Sequence, residues 1–309
     1  MGIQPEVMTN PFASRPMAGV LWMLVTGLLF VAVTVLVKSL GTDMPPAESA
    51  FLRYVIAALI MLPVVLPAMR QTRLTRRHWA MFAARGTLHA VGVALWFFAM
   101  TRIPLAEVTA MNYLAPVYVT IGAAIFLGEP LAIRRIAAVV AAIIGTLIIL
   151  RPGFREVTPA HLGMLLAGVV FGGSYLLAKV TADEVNPIVV VWMLSLIVSV
   201  VLAPVAALNW VMPDWSELGV LFSVAVIATL GHYTMTLAYR AAPITLTQPV
   251  TFLQLVWATI LGVVIFDEPV DVWVMTGGGT ILAAISFITW REVMLNRRII
   301  TPSTPATKV

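Results

Sequence analysis

The chain copies itself after five apolar segments, and an odd number forces the second copy into a membrane upside down. At an ungapped offset of 139, residues 97–131 match 236–270 at eight positions. These are Ala99/Ala238, Pro104/Pro243, Leu114/Leu253, Val117/Val256, Thr120/Thr259, Ile121/Ile260, Glu129/Glu268 and Pro130/Pro269. Apolar pairs arise easily in such a chain; the Pro, Thr and Glu-Pro pairs do not. Upstream, at an offset of 141, Lys38 matches Lys179 and Pro46 matches Pro187, so the similarity covers most of each half.

Ten stretches approach the roughly 20 mainly apolar residues that a helix needs to cross a bilayer. They are about 18–38, 48–68, 79–101, 104–127, 132–150, 160–180, 187–208, 217–239, 243–266 and 271–290. The breaks carry turn formers and polar groups, as in "GTDMPP", "RPGF" and "VMPDW". Composition agrees: 61% of residues are hydrophobic and 11% charged, against about 45–50% and about 25% in soluble domains. The fold class is therefore an all-α integral membrane protein, with ten transmembrane helices as two inverted five-helix repeats. The expected domains are a cytoplasmic segment 1–17, a first repeat 18–150, a second repeat 157–290 and a cytoplasmic tail 291–309.

The sequence pI near 9.9 is a topology signal and not a nucleic-acid footprint, because the cations flank apolar runs. With the N-terminus inside, one side receives Arg15, Arg70, Arg73, Arg76, Arg77, Arg134, Arg135, Lys179, Arg240, Arg291, Arg297, Arg298 and Lys308. The other side receives Lys38, Arg102, Arg151 and Arg155. Thirteen against four places both termini in the cytoplasm of an inner (plasma) membrane protein. No cleavable signal peptide is expected. The absence of cysteine excludes disulfides and thiolate chemistry.

Inverted repeats related by an axis in the membrane plane are a transporter design, since exchanging the conformations of the halves exchanges an inward-open cavity for an outward-open one. An enzyme would need clustered acid/base pairs or metal ligands. No His-x-x-His, no Asp/Glu pair within a span and no nucleophile motif is present. No catalytic residue, metal or cofactor is expected.

Ionisable groups within spans cost roughly 2.5–3.5 kcal/mol each on insertion scales and so need a reason. Arg53 lies about 8 Å along span 2 at 1.5 Å per residue. Its reading is gating or structure, with anion binding as the other use. Arg85 is expected to snorkel to the cytoplasm. His89 lies about 15 Å into span 3 on the same rise. His232 sits one turn beyond the equivalent position in span 8, so both rings can face one cavity. Span 4 offers Asn112, Tyr113 and Tyr118, and span 9 offers Gln248, Thr251, Gln254 and Trp257 as substrate contacts. Amides and aromatic rings on duplicated helices suit a flat, uncharged or zwitterionic organic solute. Glu107 is the carboxylate placed for gating or proton coupling, with a salt bridge to Arg102 as the plain alternative. Glu129-Pro130 and Glu268-Pro269 read as helix starts for spans 5 and 10. Small-residue stripes at Ala137, Ala141 and Gly145, and at Thr276, Thr280 and Ala284, suit helix packing, including that of a homodimer.

Arg53 in "FLRYVIAAL", "PLAEVTAMNYLAPVYVTIGAAIFLGEP", "GTLIILRPG" and the echo ending in "FDEP" together resemble the drug/metabolite transporter superfamily, in its ten-helix EamA-type branch. The resemblance covers about residues 18–290. It implies two inverted five-helix repeats around a central cavity, with spans 5 and 10 toward the periphery. "PLAEVTA" and "GHYTMTLAYRAAP" look most like a bacterial cluster that includes riboflavin and S-adenosylmethionine carriers. That cluster often has an acidic residue in span 1, and "LLFVAVTVLVK" has none, which counts against a cationic solute.

The expected function is secondary-active transport of a small organic metabolite or drug by alternating access, with export slightly favoured over uptake. The alternative is an uptake carrier for a vitamin or nucleoside-like metabolite such as riboflavin or S-adenosylmethionine; a non-transport membrane scaffold is the remote one. The partners expected are a small-molecule substrate and the lipid bilayer, without nucleic acid.

Overall fold

Most helix starts are written in the sequence as a proline or a capping side chain. Pro46, Pro159 and Pro187 stand in the first turn of their helices, where a missing N–H costs nothing. Asp214 accepts from Glu217 N and Asn186 from Ile188 N. Thr75 and Thr158 open two helices with a histidine three residues on. In each case the threonine N–H donates to the histidine Nδ1, at 3.1 Å for His78 and 3.0 Å for His161.

The computed structural model describes residues 16–115, 117–118, 133–154, 156–242 and 248–300, with the side chains of 16, 134–135, 179, 182–183, 248–249, 252 and 288–300 outside the description. Among these residues lie ten α-helices: α1 Pro16–Ser39, α2 Pro46–Gln71, α3 Arg76–Met100, α4 Leu105–Asn112, α5 Ile133–Leu150, α6 Pro159–Glu184, α7 Pro187–Leu208, α8 Trp215–Ala241, α9 Phe252–Phe266 and α10 Val272–Ile300. A 3₁₀ turn, Gln248–Thr251, precedes α9. Six of the ten are long and apolar enough to cross a bilayer, and shorter apolar stretches occupy α5, α9 and α10. The chain is a multi-pass membrane protein. Glu129, its Pro130 and most of span 4 beyond Tyr118 lie outside the described residues.

The principal helix pairings join the two halves and obey a two-fold rule. Second pairs with second (α2 with α7), fourth with fourth (α4 with α9) and fifth with fifth (α5 with α10). First pairs with third in both directions, α1 with α8 and α6 with α3. Paired helices run antiparallel. Glu48 at the start of α2 accepts from Val211 N just beyond α7, while Val65 near the other end of α2 packs with Val189 and Met193 early in α7. This is the inverted repeat in three dimensions. The face holding the end of α2 and the starts of α3 and α7 carries Arg70, Arg73, Arg76 and Arg77 and is called the basic face; the opposite one is the distal face.

The α5–α10 seam shows how close the halves come. A Cβ on Gly145 would meet the Gly277 carbonyl and Ile281, and one on Gly277 would meet the Gly145 carbonyl and Ile149. Only glycine allows that approach. The seam uses a stripe shifted by one residue from the one expected: Ala137 is exposed, whereas Ala138 and Ala142 are buried with Gly145. The reason is that Gly145 fixes the crossing point, and Ala138 and Ala142 then lie seven and three residues back on its face.

Candidate functional site

Two interrupted helices build the centre. Span 4 is not one continuous helix: α4 ends at Asn112 and turns at Tyr113–Leu114. Pro116 has no N–H for the Asn112 carbonyl, which removes the bond that would carry the helix on. In the second half, Pro249 follows Gln248 within the 3₁₀ turn, and regular helix starts only at Phe252. At the 139 offset, Tyr113 corresponds to Phe252, so the interruptions fall at equivalent places. They also touch, with the Tyr113 hydroxyl donating to the Thr251 carbonyl at 2.8 Å.

Beside them lies a cavity of about 190 Å³ with walls from α1, α2, α3, α4, α6, α8, α9 and α10. Arg53 lies on its wall, 4% exposed, with its guanidinium carbon 3.9 Å from the Tyr54 ring centre. The Tyr54 hydroxyl is 2.8 Å from His89 Nε2, and His89 Nδ1 is 3.3 Å from Ser174 Oγ. The His89 and His232 rings stand 5.5 Å apart, edge to face. His232 also meets Phe30 edge-on at 5.1 Å, and among the described residues its Nδ1 has no hydrogen-bond partner. Asn112 Oδ1 and Arg53 Nε are likewise buried without a partner. Phe171 and Tyr175, one turn apart on α6, lie nearly parallel at 5.8 Å and line the same space.

The distal face is a network of pairs. Glu268 accepts from Leu105 N at 3.0 Å, capping α4, and meets Lys38 Nζ at 2.6 Å. Arg151 pairs with Asp271, which also accepts from Trp273 N at the start of α10. His161 Nε2 lies 2.9 Å from Glu107 Oε2. Because His161 Nδ1 accepts from the Thr158 N–H, Nε2 carries the proton and donates to the carboxylate. On the basic face His78 repeats this device, reaching Glu184 at 3.0 Å beside Arg77. Hydrogen bonds from Arg77 and His78 hold the Glu184 carboxyl below its ordinary range.

Of the residues expected to contact substrate, His89, Asn112, Tyr113, His232, Thr251 and Gln254 are brought to the cavity, together with Arg53. The Gln248 side chain lies outside the description. Tyr118 packs its ring on Gly168 of α6 instead. Trp257 is 42% exposed and lies outside the cavity wall, on the face of α9 that also exposes Leu253, Ile260 and Val264. Glu107 is not at the cavity either. It is held by His161, while Arg102 stacks on Phe98 at 4.2 Å and donates to the Phe98 carbonyl. Arg85 does not snorkel: it is buried, with Nη1 donating to the Val190 carbonyl of α7. Glu268 caps α4 and not α10. Sequence reasoning missed Tyr54, Phe171, Tyr175 and Tyr239; the available signal was aromatic residues inside spans, away from the interfacial belts where they usually sit.

A family model described as the EamA-like transporter family matches the chain twice, at residues 17–151 and 158–290. The chain is 30% identical over 292 residues to a riboflavin transporter of Rhizobium johnstonii, covering 92% of this chain and 95% of that protein. It is 28% identical over 276 residues to an S-adenosylmethionine uptake transporter of Rickettsia felis, covering 89% and 94%. It is 26% identical over 272 residues to the pseudopaline exporter of Pseudomonas aeruginosa, covering 86% and 94%. A protein of known crystal structure superposes with a TM-score of 0.63 at 18% identity, over 92% of this chain and 99% of the other, which shows a shared fold.

Proposed function

Because the chain belongs to the EamA-like transporter family, we propose that it is a secondary carrier that moves a small organic solute across the inner membrane by alternating access. One observation carries the reading: the cavity lies between the inverted halves and takes its walls from both, at interruptions in the paired fourth helices. Discontinuous helices at a repeat interface are where carriers bind solute, because free backbone groups and polar side chains meet there without facing lipid. Rocking one half against the other then exposes the same walls to either side. The cation bias supports cytoplasmic termini, and in that orientation the distal face is the outer one.

Uptake is the direction to test first, since the S-adenosylmethionine relative is named for uptake. Export remains the competing direction and is supported by the pseudopaline relative. Proteoliposomes of known orientation, loaded or bathed with riboflavin or S-adenosylmethionine, distinguish them by the side from which counterflow starts.

The cysteine-free chain allows a direct test of alternating access. Thr34→Cys and Met235→Cys mark the distal-side and basic-side parts of the cavity wall. Membrane-impermeant thiol reagents should label Thr34→Cys from outside and Met235→Cys from inside. A transported solute should raise one rate as the other falls. Labelling of both positions from both sides, unchanged by solute, would describe a channel and overturn the reading. Lys308→Cys should resist the same reagents in intact cells if the C-terminal tail is cytoplasmic.

A further inference from the structure

The cavity wall holds a guanidinium and, among the described residues, no carboxylate. Among the described residues Arg53 has no acid within ion-pair distance, and neither has the buried Arg85 one turn from His89 on α3. Of the nearby distal-face acids, Glu107 meets His161, Glu268 meets Lys38 and Asp271 meets Arg151, while Glu48, five residues before Arg53 on α2, accepts from Val211 N through Oε2, keeps Oε1 unpartnered and forms no ion pair with Arg53 among the described residues. A buried cation without a counterion is costly. The Tyr54 ring offsets only part of that cost, since a cation–π contact contributes about 0.5–2 kcal/mol.

We infer that the solute itself brings the missing charge: the cavity takes an organic oxyanion, a carboxylate or a phosphate, that pairs with Arg53. This rests on the carrier reading and narrows its substrate class from the uncharged or zwitterionic solute that the amides alone suggested. The unpartnered Arg53 Nε offers one donor, and His232 Nδ1, 7% exposed and also unpartnered, lies on the same wall. Guanidinium suits both oxyanions because its fork matches two oxygens at once. Tyr54, Trp96, Phe171 and Tyr175 supply aromatic surface for an unsaturated body. The cation also explains why the cavity needs no acid of its own, and why a cationic solute would meet repulsion there.

The test uses the full-length wild-type protein in detergent and a chloride-free buffer, with binding read from ligand-dependent thermal stability. Two matched pairs serve as probes: riboflavin 5′-phosphate with riboflavin, and indole-3-acetate with indole-3-acetamide. The oxyanion of at least one pair should bind at least about tenfold tighter than its neutral partner, as expected for a charge-assisted bond of roughly 1.5–3 kcal/mol. The pair that responds identifies phosphate or carboxylate as the source. Arg53→Gln should erase the difference between the two members of the pair, and Arg53→Lys should keep part of it. The inference fails if the neutral members bind as tightly, if S-adenosylmethionine binds best, if neither oxyanion stabilises the protein, or if chloride alone matches them. The wild-type comparison decides even if Arg53→Gln does not fold. Reciprocal cysteine labelling is read independently, so the oxyanion can be lost while the carrier reading survives.

Discussion

At the distal face Glu107 meets His161, Glu268 meets Lys38 and Asp271 meets Arg151, each across two different helices or their connections. At the centre Arg53 rests on a tyrosine ring, and neither it nor Arg85 has an acid in reach among the described residues. The two regions are both poorly accessible to water, yet one sets three acids beside basic side chains and the other holds its guanidinium with no acid in reach among the described residues. A protein that only had to hold itself together would gain from pairing both. The difference indicates which charges hold the helix ends and which ones await something that comes and goes.

Substitutions should separate the two regions by sign. His161→Leu removes the imidazole that donates to the buried Glu107 carboxylate and should lower stability by about 3 kcal/mol, the usual cost of breaking one side of a buried pair. Chemical or thermal unfolding in detergent measures it; a loss below about 1 kcal/mol would remove the structural role given to the pair. Arg53→Met should behave oppositely, with stability raised or within about 1 kcal/mol of wild type, because an unpaired buried cation is removed along with one cation–π contact. Transport should nevertheless fall by at least about tenfold. A large loss of stability there would turn Arg53 into another structural group.

Smaller effects sharpen the contrast. A double-mutant cycle of Lys38→Met and Glu268→Gln should return a coupling of about 1–2 kcal/mol, discounted from the buried case because both side chains retain some exposure. Gln254→Ala and Trp257→Ala compare a cavity-lining and an exposed residue of one helix: the first should weaken solute binding roughly fivefold, as loss of a hydrogen bond near 1 kcal/mol does, and the second should leave it unchanged. The weakest expected signal is at Glu184, whose depressed carboxyl stabilises the fold above the ordinary carboxylate range. That contribution disappears as pH falls through its lowered value. Arg77→Ala should therefore flatten the acid limb of the stability curve without altering neutral-pH transport.

The architecture was legible because apolar runs and their breaks are written in local chemistry. All ten expected spans begin or end within a few residues of a helix in the structure, and the early end of α4 in span 4 goes with Pro116, a residue visible in the sequence. The site was legible in part. His89 and His232 could be placed on one cavity by their repeat positions, but Tyr118 and Trp257 could not be told from Tyr113 and Gln254. In water, a polar stripe separates the exposed face from the buried one. In a bilayer both faces are apolar, so periodicity does not say which residue meets lipid and which meets protein.

The sequence by itself determined ten helices, their inversion and the sidedness of their cations, since each depends only on run length, parity and flanking charge. Tertiary structure alone decided partners: that Glu107 turns to His161 and not Arg102, that Glu268 caps α4 and not α10, and that Arg53 reaches the cavity wall with no acid beside it among the described residues. Those outcomes depend on which helices cross at which residue. That is set by close approaches such as Gly145 against Gly277, 132 positions apart in the chain.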